Sequence, residues 1–378
     1  MNIFVDAFID VNFGDNFFVH TIVKRYPKHD FYLVEKEGYE TSYQILQKHE
    51  NNVHIISQKD EQVFFETADA MMIVGGDIFW DYGDYSVFLK KMRAIKEKNG
   101  WIAILGISLF ERYSEKTQDD FREMFSLADV IVVRDKETFI QLKKLVLDAN
   151  VILSTDMAFT CDAENIRQME PQKGVLGVSV RKKIPRNTED KYIQYCDGIA
   201  ETVVEYLKES EKNSVTFLAL SAGTFSDMTV VEEIINLCPE EYRSRMRYVS
   251  FKGDIDAYIS EMQKCERMLC TRYHSLVFAM ILKKPFVPII YEEKMRRLLK
   301  EIAYYGLNLN YEDELEPKRI LEALKETHYS ETELSWYLSK SERFFEQIDE
   351  WLIIPENKRG LIQKIKEILW LILVRKKN

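Results

Sequence analysis

Short apolar runs alternate with helical patterns along most of the chain. Asn2–Phe8 reads as a strand, and Gly14–Tyr26 as a helix with Phe17, Phe18, Ile22 and Val23 in helical register. Further strands are predicted at Phe31–Val34, Val53–Ser57, Ala70–Val74, Trp101–Leu105, Val130–Val133 and Val151–Leu153. The helices predicted between them are Tyr39–Lys48, Tyr85–Lys98, Lys116–Leu127 and Lys136–Leu147. The segment Thr160–Lys173 loses this periodicity, contains Pro171 and reads as a linker. The alternation then restarts with strands at Gly174–Val180, Val215–Leu220, Tyr248–Phe251, Met268–Cys270 and Phe286–Ile290. Helices at Lys191–Lys208, Val230–Leu237, Asp254–Lys264, His274–Leu282 and Glu292–Ala303 go with them, and the chain beyond Pro317 reads as helical. Strands that alternate with helices require right-handed crossovers and a mostly parallel sheet.

This pattern predicts an α/β protein with two Rossmann-like domains facing a cleft. Residues 1–165 form the first domain, 174–330 the second and 331–378 a helical C-terminal extension. Open parallel sheets bind ligands beyond the C-terminal ends of their strands, so the loops there are the places to look for chemistry.

Composition narrows the class. The chain has 378 residues, 46% apolar and 30% charged, which is enough for two packed cores and excludes wholesale disorder. A formal charge of −10 argues against a general nucleic-acid coat, though not against a local basic site for a small anion. The five cysteines, at 161, 196, 238, 265 and 270, contain no C-x-x-C pair, which fits a reducing, cytoplasmic setting. Met1–Asp6 is strand-like, so a secretory leader is not expected, and no apolar run reaches the roughly 20 residues of a membrane span. The 20 Tyr and 22 Phe are scattered, which suits cores better than a base-stacking surface.

Five strand-end segments carry candidate chemistry. In Asn12-Phe13-Gly14-Asp15, Gly14 permits close backbone approach, and Asp15 serves as a helix cap or as a ligand contact. A buried strand runs into Gly75-Gly76-Asp77, with Asp81 four residues on; this is neither a dinucleotide fingerprint nor a P-loop. Arg272-Tyr273-His274 places a guanidinium and an imidazole at the junction of a strand and a helix. Arginine suits phosphate or carboxylate, and histidine carries protons near neutral pH. Val178-Ser179-Val180-Arg181 delivers a cation, followed by Lys182 and Lys183, at the end of the first strand of the second domain. Tyr291-Glu292-Glu293-Lys294 offers another. Surface ion pairing and helix capping are the bland alternatives for each charge. No G-x-S-x-G elbow, H-E-x-x-H or His/Cys cluster occurs, so neither a serine hydrolase nor a metal site is indicated.

Taken in order, the motifs N-x-G-D, G-G-x-x-x-x-D, D-x-A-F (Asp156–Phe159), S-x-R, R-x-H and Y-x-x-K resemble the polysaccharide pyruvyl transferase family over roughly residues 1–300. The resemblance implies a fold like that of the GT-B glycosyltransferases. It implies phosphoenolpyruvate as co-substrate, with no further cofactor, and as acceptor a sugar of a cell-surface polysaccharide or its lipid-linked precursor. The product is a pyruvate ketal. It also implies Arg181 and Arg272 as anion-binding residues, with Lys294 as a further donor contact, and His274 as the catalytic proton carrier. Asn12, Gly14, Asp15, Gly75, Gly76 and Asp81 form the acceptor or cleft loops. Arg181 is expected to face Arg272 across the cleft. The chain departs from the family in having Asp77 where a third glycine is usual and Asp156-Met157 where D-P is common. Two alternatives stay open: a nucleotide-sugar glycosyltransferase of the same architecture, and a non-catalytic relative that binds a glycan precursor.

The C-terminal residues 358–378 carry seven basic residues and one acid, Glu367, around the apolar run Ile368–Val374. Residues 361–378 read either as a helix lying on an anionic membrane face or as a terminal helix packed on the first domain.

Overall fold

The computed structural model describes residues 1–110, 112–161, 169–182, 188–223 and 226–353. Its first domain is a seven-stranded sheet of β1 (Asn2–Ala7), β2 (Asp30–Val34), β3 (Val53–Ile56), β4 (Ala70–Val74), β5 (Trp101–Ile107), β6 (Val130–Val133) and β7 (Val151–Leu153). The order is β3-β2-β1-β4-β5-β6-β7, and every pairing is parallel. The second domain repeats the plan with β8 (Val175–Ser179), β9 (Ser214–Ala219), β10 (Met246–Ser250), β11 (Arg267–Cys270), β12 (Phe286–Ile290) and β13 (Leu309–Asn310). Here the order is β10-β9-β8-β11-β12-β13, again all parallel. Strands β4 and β12 are buried from end to end, as expected of strands covered by helices on both faces.

The strand order reverses between β1 and β4 in the first sheet and between β8 and β11 in the second. Loops that leave these strands on opposite sides of a reversal open a crevice. The candidate segments after β1, β4, β8 and β11 all fall at these two points, and the one carrying Lys294 follows β12.

The two domains share one apolar core. Helix Phe13–Arg25 inserts Phe13 against Phe278, Phe251 and Tyr258 of the second domain, with ring centroids 5.1, 5.5 and 5.1 Å apart, and Phe17 lies 5.3 Å from Phe278. Backbone bonds join the domains as well. Phe13 N donates to Leu220 O (2.8 Å) and Ala222 N to Val11 O (3.0 Å), around an Asn12–Ser221 bridge. The helices Glu331–Ser339 and Glu346–Leu352 return to the first domain. There Trp351 stacks on Trp101 at 4.7 Å, Tyr26 Oη donates to Asp349 (2.8 Å), and Tyr337 packs edge-on to Phe159.

Several short elements escaped the sequence pattern, among them the helix Glu240–Arg243 and the 3-10 turn Met157–Thr160. Glu61–Thr67 is a helix too short to show a periodicity of its own, and β13 is a two-residue strand identifiable only from its pairing with β12. Half of the expected linker (162–168), Lys183 and the basic tail 361–378 lie outside the described residues. No helix among the described residues is long and apolar enough to cross a membrane.

Candidate active site

Ser179, the last residue of β8, organises the second domain's half of the site. Its buried Oγ accepts the backbone N–H groups of Thr271 (3.0 Å) and Arg272 (3.2 Å) and pairs with Ser275 Oγ at 2.6 Å. Ser275 Oγ in turn donates to Arg272 O (2.6 Å), so the Ser179 proton goes to Ser275. One hydroxyl thereby locks the turn between β11 and helix Tyr273–Ile281. That helix is buried along its length except for His274.

His274 points across the domain boundary. A Cβ on Gly14 would lie 2.0 Å from His274 Nδ1, so only glycine fits beneath the ring. The ring meets Phe18 edge-on, and its Nε2 stands 3.8 Å from Oδ1 of the buried Asp156. Nε2 is itself buried with no hydrogen-bond partner among the described residues. Burial drives the His274 pKa down to about 4. Asp156 opposes the shift, while Arg134 and Lys294 reinforce it. The imidazole is therefore neutral at pH 7.

The cations come paired. Arg272 grips Asp227 through Nε at 3.0 and 3.1 Å and through Nη2; burial works against its charge, but Asp227 more than offsets this and raises its pKa. Arg181 lies 3.6 Å from Glu292 and covers the Tyr291 ring at 4.2 Å, and its buried Nε lacks a hydrogen-bond partner among the described residues. Arg181 and Arg272 leave adjacent strands of one sheet, since Ser179 and Cys270 are paired in register. They stand side by side in the second domain and do not face each other across the cleft as expected. The reason is topological: β8 and β11 are the two strands that flank the switch point.

Lys294 does cross the cleft. Its Nζ bonds Asp77 Oδ2 of the first domain (2.6 Å) and Glu292 (2.7 Å). Asp77 also takes Arg134 Nη2 (2.8 Å), and Arg134 Nη1 continues to Asp156 (3.1 Å), which connects back to His274. Burial pushes the Asp77 pKa up, but Lys294 and Arg134 outweigh it and hold it at about 2. Tyr273 presents its ring to both cations, 5.0 Å from Arg134 and 5.5 Å from Lys294. Asp15, half-buried beside this group, has its carboxyl pushed up to about 7 by burial, with Lys294 opposing and Asp77 adding.

The remaining sequence candidates hold the frame. Asn12 caps helix Phe13–Arg25 by accepting Gly14 N (2.9 Å). A Cβ at Gly76 would meet the Arg134 guanidinium at 2.5 Å, so this glycine makes room for the ion network, and Gly75 precedes it on the same turn. Asp81 sits apart from the cations. It accepts Ser114 N (2.9 Å) and Oγ (2.8 Å) and Tyr82 N (3.1 Å), which ties together the loops after β4 and β5. The carboxylate of that loop that reaches the site is Asp77. Arg134, Asp156 and Asp227 also belong to the site, and sequence reasoning gave them no role. Arg134 follows β6 in no motif, Asp227 lies in an irregular turn, and Asp156 entered only as part of D-x-A-F. Among the described residues no group of three or more His, Cys, Asp or Glu side chains is arranged to hold a metal ion.

The family model for polysaccharide pyruvyl transferases matches residues 12–293, from the loop after β1 to the residue before Lys294. The chain belongs to that family. No curated protein matches it. Among solved structures, Anabaena Alr3699/HepE in complex with UDP and glucose is 14% identical with a TM-score of 0.53, over 97% of this chain and 98% of that one. A putative UDP-N-acetylglucosamine 2-epimerase from Listeria monocytogenes is 10% identical with a TM-score of 0.60 (92% and 95% covered). The S. aureus MnaA–UDP co-structure is 10% identical with a TM-score of 0.56 (94% and 97%). These likenesses establish a shared GT-B-like fold: two Rossmann-like domains around a cleft.

Proposed function

We propose that this member of the family transfers pyruvate from phosphoenolpyruvate to two hydroxyls of one sugar in a cell-surface polysaccharide or its lipid-linked precursor. The observation that carries the reading is a pair of unsatisfied polar atoms. Arg181 Nε and His274 Nε2 are buried at the switch points without a hydrogen-bond partner among the described residues. Leaving such a group unpaired costs about 1–3 kcal/mol, which a ligand can return. One atom is cationic and the other can take or give a proton, which is the pair a phosphorylated enol requires.

Phosphoenolpyruvate carries a phosphate and a carboxylate on three carbons. Arg181, Arg272 and Lys294 are the cations proposed to hold them, with donor oxygens exchanging for Glu292 and Asp77 on Arg181 and Lys294. A proton goes to the methylene carbon, which becomes methyl, and the first sugar hydroxyl adds to C2. The bond from C2 to the phosphate oxygen then breaks, and phosphate leaves with the electron pair. The second hydroxyl adds to the resulting cation and closes the ketal. Carbon takes up one proton, the two hydroxyls release two, and phosphate carries one away.

His274 is the proposed proton carrier. Neutral at pH 7, it gains a proton when the donor's negative charge arrives beside it, because a nearby anion favours the imidazolium. Such general acid–base catalysis contributes about 10²–10⁴-fold. Asp15, with a pKa near neutrality, is the group of the first domain suited to accept protons from acceptor hydroxyls. The arginines stabilise the departing phosphate. Residues 361–378 are the proposed contact with an anionic membrane that presents lipid-linked acceptors.

A second reading, nucleotide-sugar glycosyl transfer, takes its support from the UDP and glucose bound by the HepE structure. A thermal-shift comparison separates the two, because a ligand specific for the native state raises its melting temperature. Phosphoenolpyruvate is expected to stabilise the protein and UDP-sugars to leave it unchanged; the reverse result would favour glycosyl transfer. Stabilisation by neither would favour a non-catalytic glycan-binding relative.

A further inference from the structure

The loop that carries Asp77 ends in aromatic side chains that the ion network does not use. Trp80 is 60% exposed and Tyr82 is 82% exposed, while Phe110, on the neighbouring loop after β5, is 40% exposed. The Trp80 and Phe110 rings lie side by side with centroids 5.4 Å apart at 40°. Contiguous exposed apolar patches mark interaction sites, whereas hydrophobic residues exposed singly are ordinary.

Their backbone is firmly held. The Tyr85 hydroxyl, on a buried ring, accepts Trp80 N and donates to Trp80 O, both at 2.6 Å. Tyr113 Oη accepts Phe110 N (2.8 Å) and donates to Phe79 O (3.0 Å), so it spans the two loops. Asp81 adds its bonds to Ser114 and Tyr82, and Ser108 N donates to Gly76 O (2.8 Å) at the base of the loops. Tyr82 is held at φ +59°, a conformation that non-glycine residues adopt at a cost. One buried tyrosine, one half-buried tyrosine, one carboxylate and a strained residue thus present Trp80 and Phe110 to solvent, with Trp80 three residues from Asp77.

We infer that Trp80 and Phe110 form a stacking platform for pyranose rings of the acceptor glycan next to the sugar that receives the pyruvyl group. This rests on the reading of the acceptor as a glycan. A pyranose offers an apolar C–H face that covers an indole or phenyl ring while its hydroxyls stay in water, and an aromatic ring fixed in advance loses little entropy when it is covered. The platform is continuous with the ion network through residues 77–80 and 108–110. Charge favours a glycan over an anionic lipid surface, because residues 77–84 contain Asp77, Asp81 and Asp84 and no Lys or Arg.

The test is glycan binding by the full-length protein without phosphoenolpyruvate, so that it stands apart from the pyruvyl reading. Cellotetraose, chitotetraose and mannotetraose are titrated while Trp fluorescence and heat are followed, using wild type, Trp80→Ala/Phe110→Ala and Trp80→Phe at matched melting temperatures. At least one tetrasaccharide is expected to bind wild type, to bind the double variant at least tenfold more weakly, and to keep most of its affinity for Trp80→Phe. Absence of binding to all three, or equal binding by the double variant, overturns the platform. So does Trp80-dependent sedimentation with phosphatidylglycerol vesicles in place of glycan binding. Trp80-dependent glycan binding by a protein that releases no phosphate from phosphoenolpyruvate would keep the platform and remove the pyruvyl chemistry.

Discussion

Asp15 and His274 stand on opposite sides of the domain boundary, and burial shifts them in opposite directions. For His274 the folded pKa is lowered, so the associated stability is complete above the ordinary histidine value and is lost as pH falls toward about 4. For Asp15 the folded pKa is raised from 3.8 to about 7. The folded protein holds a proton there that the unfolded chain has released, so stability declines as pH rises from about 4 to about 7. Asp15→Asn cannot ionise and escapes that decline. Its melting temperature relative to wild type is therefore expected to climb between pH 4 and 7 and to stay higher at pH 8. A difference that does not vary with pH would contradict the burial of this carboxyl beside Asp77. At this scale the sequence marked the residues whose neighbours form motifs, such as Gly14 and His274. It could not mark Arg134 or Asp227, because their importance comes from Asp77 and Arg272, residues 57 and 45 positions away.

The elements were readable for a physical reason. Strands covered on both faces, such as β4 and β12, must be apolar throughout, and glycines or charges then mark the loops beyond them. What the pattern did not reveal is how the elements lock together. Ser179 is the clearest case, since it was legible only as the first letter of S-x-R, yet its hydroxyl holds the backbone of Thr271 and Arg272 in place. Ser179→Ala removes an acceptor from two buried N–H groups and is predicted to cost about 1–3 kcal/mol in urea unfolding. It should also lower turnover by displacing His274, while Ser179→Thr keeps most of both. Unchanged stability and turnover in Ser179→Ala would show that the turn holds without this clamp. Asp81 teaches the converse: a loop acid that by position belonged to the cleft instead ties two loops together, while Asp77, four residues earlier, reaches the cations.

At the scale of the whole molecule, the cleft is latched by charge. Lys294 and Arg297 of helix Glu293–Glu301 reach from the second domain to Asp77 and Asp135 of the first, above the shared aromatic core around Phe13. Donor binding on the proposed path exchanges one anion for another, so Asp77 competes with the donor's phosphate. Asp77→Asn should therefore bind inorganic phosphate about tenfold more tightly, equivalent to about 1.4 kcal/mol, while melting at a lower temperature. Weaker phosphate binding would mean that Asp77 positions Lys294 for the anion and does not compete with it. The most direct measurement of the central claim is phosphate release from phosphoenolpyruvate in the presence of a glycan acceptor, with the acceptor product analysed by mass spectrometry, for wild type and His274→Ala. Wild type is predicted to release phosphate in step with a pyruvyl-ketal product, and His274→Ala to lose at least a hundredfold in rate while still being stabilised by phosphoenolpyruvate. A ketal product formed equally fast by His274→Ala, or phosphoenolpyruvate left intact by wild type with every glycan offered, would contradict it.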